Sequence, residues 1–142
     1  MKHKLLFIGI FLLSFSLLQG QTLPFKEDFE TTTGDGSTLI EENLPSWMNY
    51  KLEGNQGWCS YSYNNNKYAQ MSSYNTGEPN DAWLITPAID KSGSTLDKFT
   101  FDVKVGYWTH DGLKVLISEN FDGFNVKEAT WEDITSNFTI PQ

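Results

Sequence analysis

Apolar and polar residues alternate most cleanly over residues 99–105. Phe99, Phe101, Val103 and Val105 fall on one side of an extended chain, and Thr100, Asp102 and Lys104 fall on the other. That is the pattern of a strand with one face buried and the other in water. Leu113, Val115 and Ile117 repeat it after a loop containing His110-Asp111-Gly112. A different pattern fills residues 81–90. Asp81-Ala82-Trp83-Leu84-Ile85-Thr86-Pro87-Ala88-Ile89-Asp90 is the most continuous apolar run beyond the N-terminus. It reads as a strand buried on both faces and ended by a proline turn.

The same reading places strands at 25–29, 46–51, 58–63, 68–72 and 130–134. Asn64-Asn65-Asn66 forms a tight turn, since Asn tolerates left-handed backbone, so residues 58–72 read as a hairpin. Residues 31–37, 53–57 and 73–80 are loops, and 39–44 has the length of one helical turn. No segment holds a helical period for long. Short strands separated by turn-rich loops predict an all-β sandwich or barrel.

The first residues change the picture of where this chain works. Met1-Lys2-His3-Lys4 precedes an apolar stretch over 5–18, the build of a secretory signal peptide over 1–21, with cleavage near Gly20 or Gln21. The stretch is short for a membrane span and no basic stop-transfer segment follows it, so no transmembrane helix is predicted in the mature chain. No Cys lies near the junction to take a lipid. The predicted location is therefore secreted or outer surface, with one domain over 22–142.

Charge and cysteine usage narrow the partners. Once Lys2 and Lys4 leave with the leader, eight lysines face 18 acidic residues, a net charge of −10, and Arg is absent from the sequence. Such a surface excludes nucleic acid as a partner and excludes phosphate recognition by arginine forks. Cys59 is the single cysteine, so no internal disulfide forms and stability must come from packing. The 10 Phe, 6 Tyr and 5 Trp supply material for that, although some Phe belong to the leader.

Several segments together resemble a known family. Glu27-Asp28-Phe29-Glu30, Leu44-Pro45-Ser46-Trp47, Gln56-Gly57-Trp58, Tyr68-Ala69-Gln70-Met71-Ser72, Trp83-Leu84-Ile85-Thr86-Pro87-Ala88-Ile89 and Leu113-Lys114-Val115-Leu116-Ile117-Ser118 follow one another over 25–134. In order and spacing they resemble the choice-of-anchor J, or cleaved-adhesin, domains of secreted and surface proteins of Gram-negative bacteria, which include the adhesin regions of gingipain-type proteases. The resemblance implies a jelly-roll (galactose-binding-like) β-sandwich. It also implies a domain incomplete at its C-terminal end, because family members continue with several more strands. At 51–57 some members carry an Asp/Gly-rich loop of metal-binding type, from which Lys51-Leu52-Glu53-Gly54-Asn55 departs.

Three kinds of chemistry are weighed on these residues. For catalysis, the mature chain has one His, His110, and one Cys, Cys59, on separate segments with no motif around either. Cys59 alternates with Tyr61 and Tyr63 and reads as a small core-facing residue. No catalytic residue is assigned. For metal, Asp28 and Glu30 are two apart and share one face of a strand. With loop carbonyls and Asp81 they offer hard oxygen ligands for a structural Ca²⁺, which the resemblance implies beside the first strand. The alternative is a solvated acidic edge. Asp35-Gly36-Ser37, near Glu41 and Glu42, reads as a turn. For ligand binding, Tyr107 and Trp108 in a loop, with Trp58 and Tyr63 near the hairpin, present rings on which a sugar can stack. The competing reading puts such rings in the core.

The function expected from all this is a non-catalytic binding or adhesion module whose partner is a glycan or an extracellular protein. An accessory structural domain without a ligand is the alternative, and a hydrolase is the least favoured.

Overall fold

The computed structural model describes residues 21–22, 24–95, 98–107, 109–110 and 112–142. The predicted leader, apart from Gln21, lies outside these residues, as do Trp108 and Asp111. The chain is nearly all β. Its strands are β1 (Gln21–Thr22), β2 (Asp35–Leu39), β3 (Met48–Glu53), β4 (Cys59–Tyr63), β5 (Asn66–Gln70), β6 (Asp81–Ile85), β7 (Ile89–Asp90), β8 (Leu116–Ile117) and β9 (Glu132–Asp133). One helical turn, α1 (Ile40–Asn43), and a 3₁₀ turn, Thr135–Asn137, complete the regular structure of the described residues. Among the described residues no helix is long and apolar enough to cross a membrane.

Among the described residues the strands pair as four sheets: β2-β4-β5, β3-β6, β8-β9 and β1-β7, of which the first three are antiparallel and the last parallel. The hairpin β4-β5 forms as the Asn run predicts. Asn64 and Asn65 both take positive φ, 50° and 62°, as a two-residue turn that follows the right-handed strand twist requires. Gln21, at the predicted leader junction, pairs with Ile89.

Three apolar side chains are buried among the described residues: Ile40, Ile85 and Val126. The other buried centre is polar. Ser60 and Thr32 are buried with their hydroxyls in contact, Thr32 Oγ1 donates to the Phe29 carbonyl at 2.7 Å, and the Gly34 amide donates to Ser60 Oγ at 2.7 Å. Since the Thr32 proton is engaged at Phe29, the Ser60 hydroxyl must donate to Thr32. The chain of donors runs one way, from Gly34 to Phe29, and among the described residues no buried side-chain polar atom is left unpaired.

Lys67 ties the hairpin to this turn. Its ammonium donates to the carbonyls of Thr32 at 2.5 Å and Glu30 at 3.2 Å, and its amide donates to the Glu30 carboxylate at 3.0 Å. Asn80 does the same for the loop after β3: its Oδ1 accepts the amides of Asn55 at 3.1 Å and Gln56 at 3.0 Å. Gly54 is required there. Its φ is +73°, and a Cβ would lie 2.2 Å from Asn80 Oδ1.

Several expected strands differ. Residues 25–29 form no ladder: Phe29 has φ +59°, its amide is taken by Glu27 Oε1 at 2.6 Å, and its carbonyl accepts the Thr32 amide at 3.0 Å, so the chain turns instead of extending. Phe25 and Phe29 pack on Trp47 with centroids 6.2 and 5.3 Å away. Within the predicted loop 31–37, β2 already begins at Asp35, whose carboxylate accepts the amides of Ser37 and Thr38, each at 2.8 Å. Among the described residues, 99–105 also form no ladder, and Phe99 is exposed. Within the run at 81–90, β6 pairs on one side only, with β3, the last two residues form β7 and pair with β1, and only Ile85 is buried.

Candidate functional site

The β3-β6 ladder sets Tyr50 opposite Trp83, so the two rings share a face. Leu52, two residues along β3, is 46% exposed. The second wall is the chain at 118–131, held by its own polar groups. Asn120 Oδ1 accepts the Thr130 amide at 2.8 Å, which closes the base of this segment. Asp122 Oδ1 accepts the amides of Phe124 and Asn125, both at 2.8 Å. Those amide bonds, Asn125's first, hold the Asp122 carboxyl below the usual carboxylate range. The turn buries Val126, whose carbonyl accepts the Trp131 indole N–H at 2.9 Å.

Trp131 thereby meets Trp83, with centroids 5.2 Å apart and planes at 80°, while Phe121 backs it at 5.4 Å. The Trp83 N–H is fixed by Asp81 Oδ1 at 2.8 Å. Both indoles have their polar edge bound to protein, and both are half-buried, so ring surface is what they offer outward. Between the walls lies an open groove of about 250 Å³, lined by Tyr50, Leu52, Trp83, Val126, Lys127, Ala129 and Trp131. Small-molecule pockets run about 300–1,000 Å³, so this one suits a single ring rather than a chain.

The residues predicted from sequence fall elsewhere, with one exception. Trp58 is half-buried and bolts β4 to β6: its indole donates to the Ala82 carbonyl at 2.9 Å, and its amide donates to Asn49 Oδ1 at 2.7 Å. Tyr63 stands 71% exposed at the end of the hairpin, and Tyr107, at φ +55°, is fully exposed. Among the described residues no ring contact joins Trp58, Tyr63 or Tyr107. Trp108 lies outside the described residues.

Of the three carboxylates read as metal ligands, each has a partner of its own. Asp28 pairs with Lys26 at 3.0 Å, Glu30 holds the Lys67 amide, and Asp81 fixes Trp83. The Lys26 ammonium is the main reason the Asp28 carboxyl sits below its ordinary value. Among the described residues no three His, Cys, Asp or Glu side chains come together around a metal position. Asp81 alone adjoins the groove. Burial pushes the Cys59 thiol up, which keeps it protonated and a poor nucleophile at neutral pH. His110 is exposed, with Nδ1 3.0 Å from the Thr109 hydroxyl.

Sequence reasoning missed Trp131 and Lys127 and took Trp83 for core. The one local signal was Trp131 itself, a large ring entering a short strand. What makes it a site residue is the return of 118–131 onto the β3-β6 face, which no local pattern encodes. Comparison with protein-family models, curated proteins and solved structures finds no match for this chain.

Proposed function

We propose that this chain is a secreted or surface-exposed, non-catalytic binding module on a jelly-roll β-sandwich frame. Its ligand is a glycan, whose terminal sugar sits in the groove between the β3-β6 face and 118–131. The observation that carries this is the corner formed by Trp83 and Trp131, two near-perpendicular rings 5.2 Å apart with both N–H groups bound to protein. A pyranose can lay its apolar C–H face on one indole and its rim against the other, while its hydroxyls meet Tyr50, Lys127 and water. The leader-like N-terminus, the short antiparallel ladders and the protonated Cys59 support the same reading.

A glycan array probed with the chain freed of residues 1–21 tests it, with tryptophan fluorescence titration of each hit. Wild type should bind at least one glycan class. Trp131→Ala should lose roughly tenfold or more in affinity while keeping the wild-type circular dichroism, since it removes half of the stacking corner. Absence of any glycan binding by the folded chain would overturn the proposal. So would binding that Trp131→Ala leaves unchanged, including binding to a protein partner.

A further inference from the structure

Residues 99–105 have the side chains of a strand but, among the described residues, pair with none. Phe101, Val103 and Val105 are half-buried, with Phe101 5.0 Å from Phe138, while Thr100, Asp102 and Lys104 are exposed. Among the described residues no backbone N–H or C=O of 99–105 is hydrogen-bonded, and neither Asp102 nor Lys104 has an ion-pair partner. The extended stretch ends at Tyr107, which takes φ +55°. A row of unpaired donors and acceptors on a half-buried segment is a template for another strand.

We infer that the occupant is a second copy of this chain, paired antiparallel with the same segment about a two-fold axis through Val103. The sequence Phe101-Asp102-Val103-Lys104-Val105 is complementary to itself in that arrangement. Asp102 of each copy lies opposite Lys104 of the other, Phe101 lies opposite Val105, and Val103 lies opposite its own counterpart. The apolar residues stay on one face and two ion pairs form on the other. Competing registers are penalised. Sliding the pairing by one step that keeps the faces sets either Asp102 against Asp102 or Lys104 against Lys104. Parallel in-register pairing does both at once. The result is an isologous contact. One strand pair buries less than the roughly 1,000 Å² of a stable interface, so the dimer is weak and depends on concentration.

Sedimentation equilibrium over a wide concentration range tests this at physiological ionic strength, where the repulsion between two copies of net charge −8 is screened. Wild type should show a monomer–dimer equilibrium. Lys104→Asp and Asp102→Lys, each alone, should weaken self-association roughly tenfold or more. Mixed together they should recover it as a heterodimer, because each then supplies the charge the other lacks, and that recovery also shows that both variants are folded. Hydrogen exchange on wild type gives an independent readout: amides in 99–105 should gain protection as concentration rises. A wild type that stays monomeric overturns the inference. So do single variants that self-associate like wild type, a mixture that stays monomeric, or exchange at 99–105 that ignores concentration.

Discussion

Asp35 shows how much one exposed side chain can organise. Its carboxylate accepts the Thr38 hydroxyl at 2.6 Å and the amides of Ser37 and Thr38, each at 2.8 Å, and so shapes the first turn of β2. The Thr38 hydroxyl, followed by the two amides, holds the Asp35 carboxyl far below the ordinary carboxylate value. The sign of the consequence follows from linkage. A carboxyl depressed in the folded state adds stability that is fully present above the unfolded value of about 3.9, and loses it as pH falls from there toward the folded value. Asp28, Asp90, Asp122 and Asp133 are shifted the same way by lysine or by local N–H and O–H donors. Denaturant midpoints should therefore hold steady down to about pH 5 and decline below pH 4. In Thr38→Val the leading donor is gone, so the Asp35 carboxyl resonance should titrate closer to the ordinary value and the acid decline should be shallower. An Asp35 that titrates normally in wild type would sink this account.

At the scale of elements, the sequence was legible wherever the cause is local. The hairpin follows from the Asn pair with positive φ, α1 from its short span, and β6 from Trp83-Leu84-Ile85. Alternation was informative in a narrower way than a strand assignment assumes. Residues 24–30 and 101–105 do alternate between exposed and half-buried side chains, as their patterns predict, yet neither segment carries a ladder. Periodicity reports which side chains face inward. A ladder also needs a neighbour, and the neighbour is set by long-range register. The groove was illegible for the same reason, since Tyr50 meets Trp83 only through β3-β6 pairing and Trp131 arrives through a fold-back. Lys67 is another such link: its ammonium joins β5 to the carbonyls of Glu30 and Thr32, more than thirty positions earlier. Lys67→Met keeps most of the stem but removes these charged hydrogen bonds, so it should cost roughly 1.5–3 kcal/mol in a denaturant melt. A loss within about 0.5 kcal/mol, the range of ordinary surface changes, would mean that the turn holds without it.

At the scale of the whole molecule, the balance of buried and exposed apolar side chains sets the thermodynamics. Ile40, Ile85 and Val126 are the buried apolar side chains among the described residues, while Leu52, Tyr74, Phe99 and Phe124 are each exposed. With one cysteine, no internal disulfide makes up for that. The heat-capacity change of unfolding follows the apolar surface newly exposed, about 12–15 cal/mol/K per residue for well-packed domains. A chain of 142 residues with this burial should fall clearly below the roughly 1.7–2.1 kcal/mol/K that such packing gives, with a correspondingly low urea slope. Strand pairing at 99–105 adds a second expectation. A dimer that forms only from folded copies stabilises the fold by mass action, so the melting temperature should rise with protein concentration in wild type. In Lys104→Asp it should stay flat. Scanning calorimetry of both proteins at several concentrations checks the two expectations in one experiment. A full heat-capacity increment would show the core to be larger than these three side chains, and concentration-independent melting of wild type would remove the dimer from the energetics.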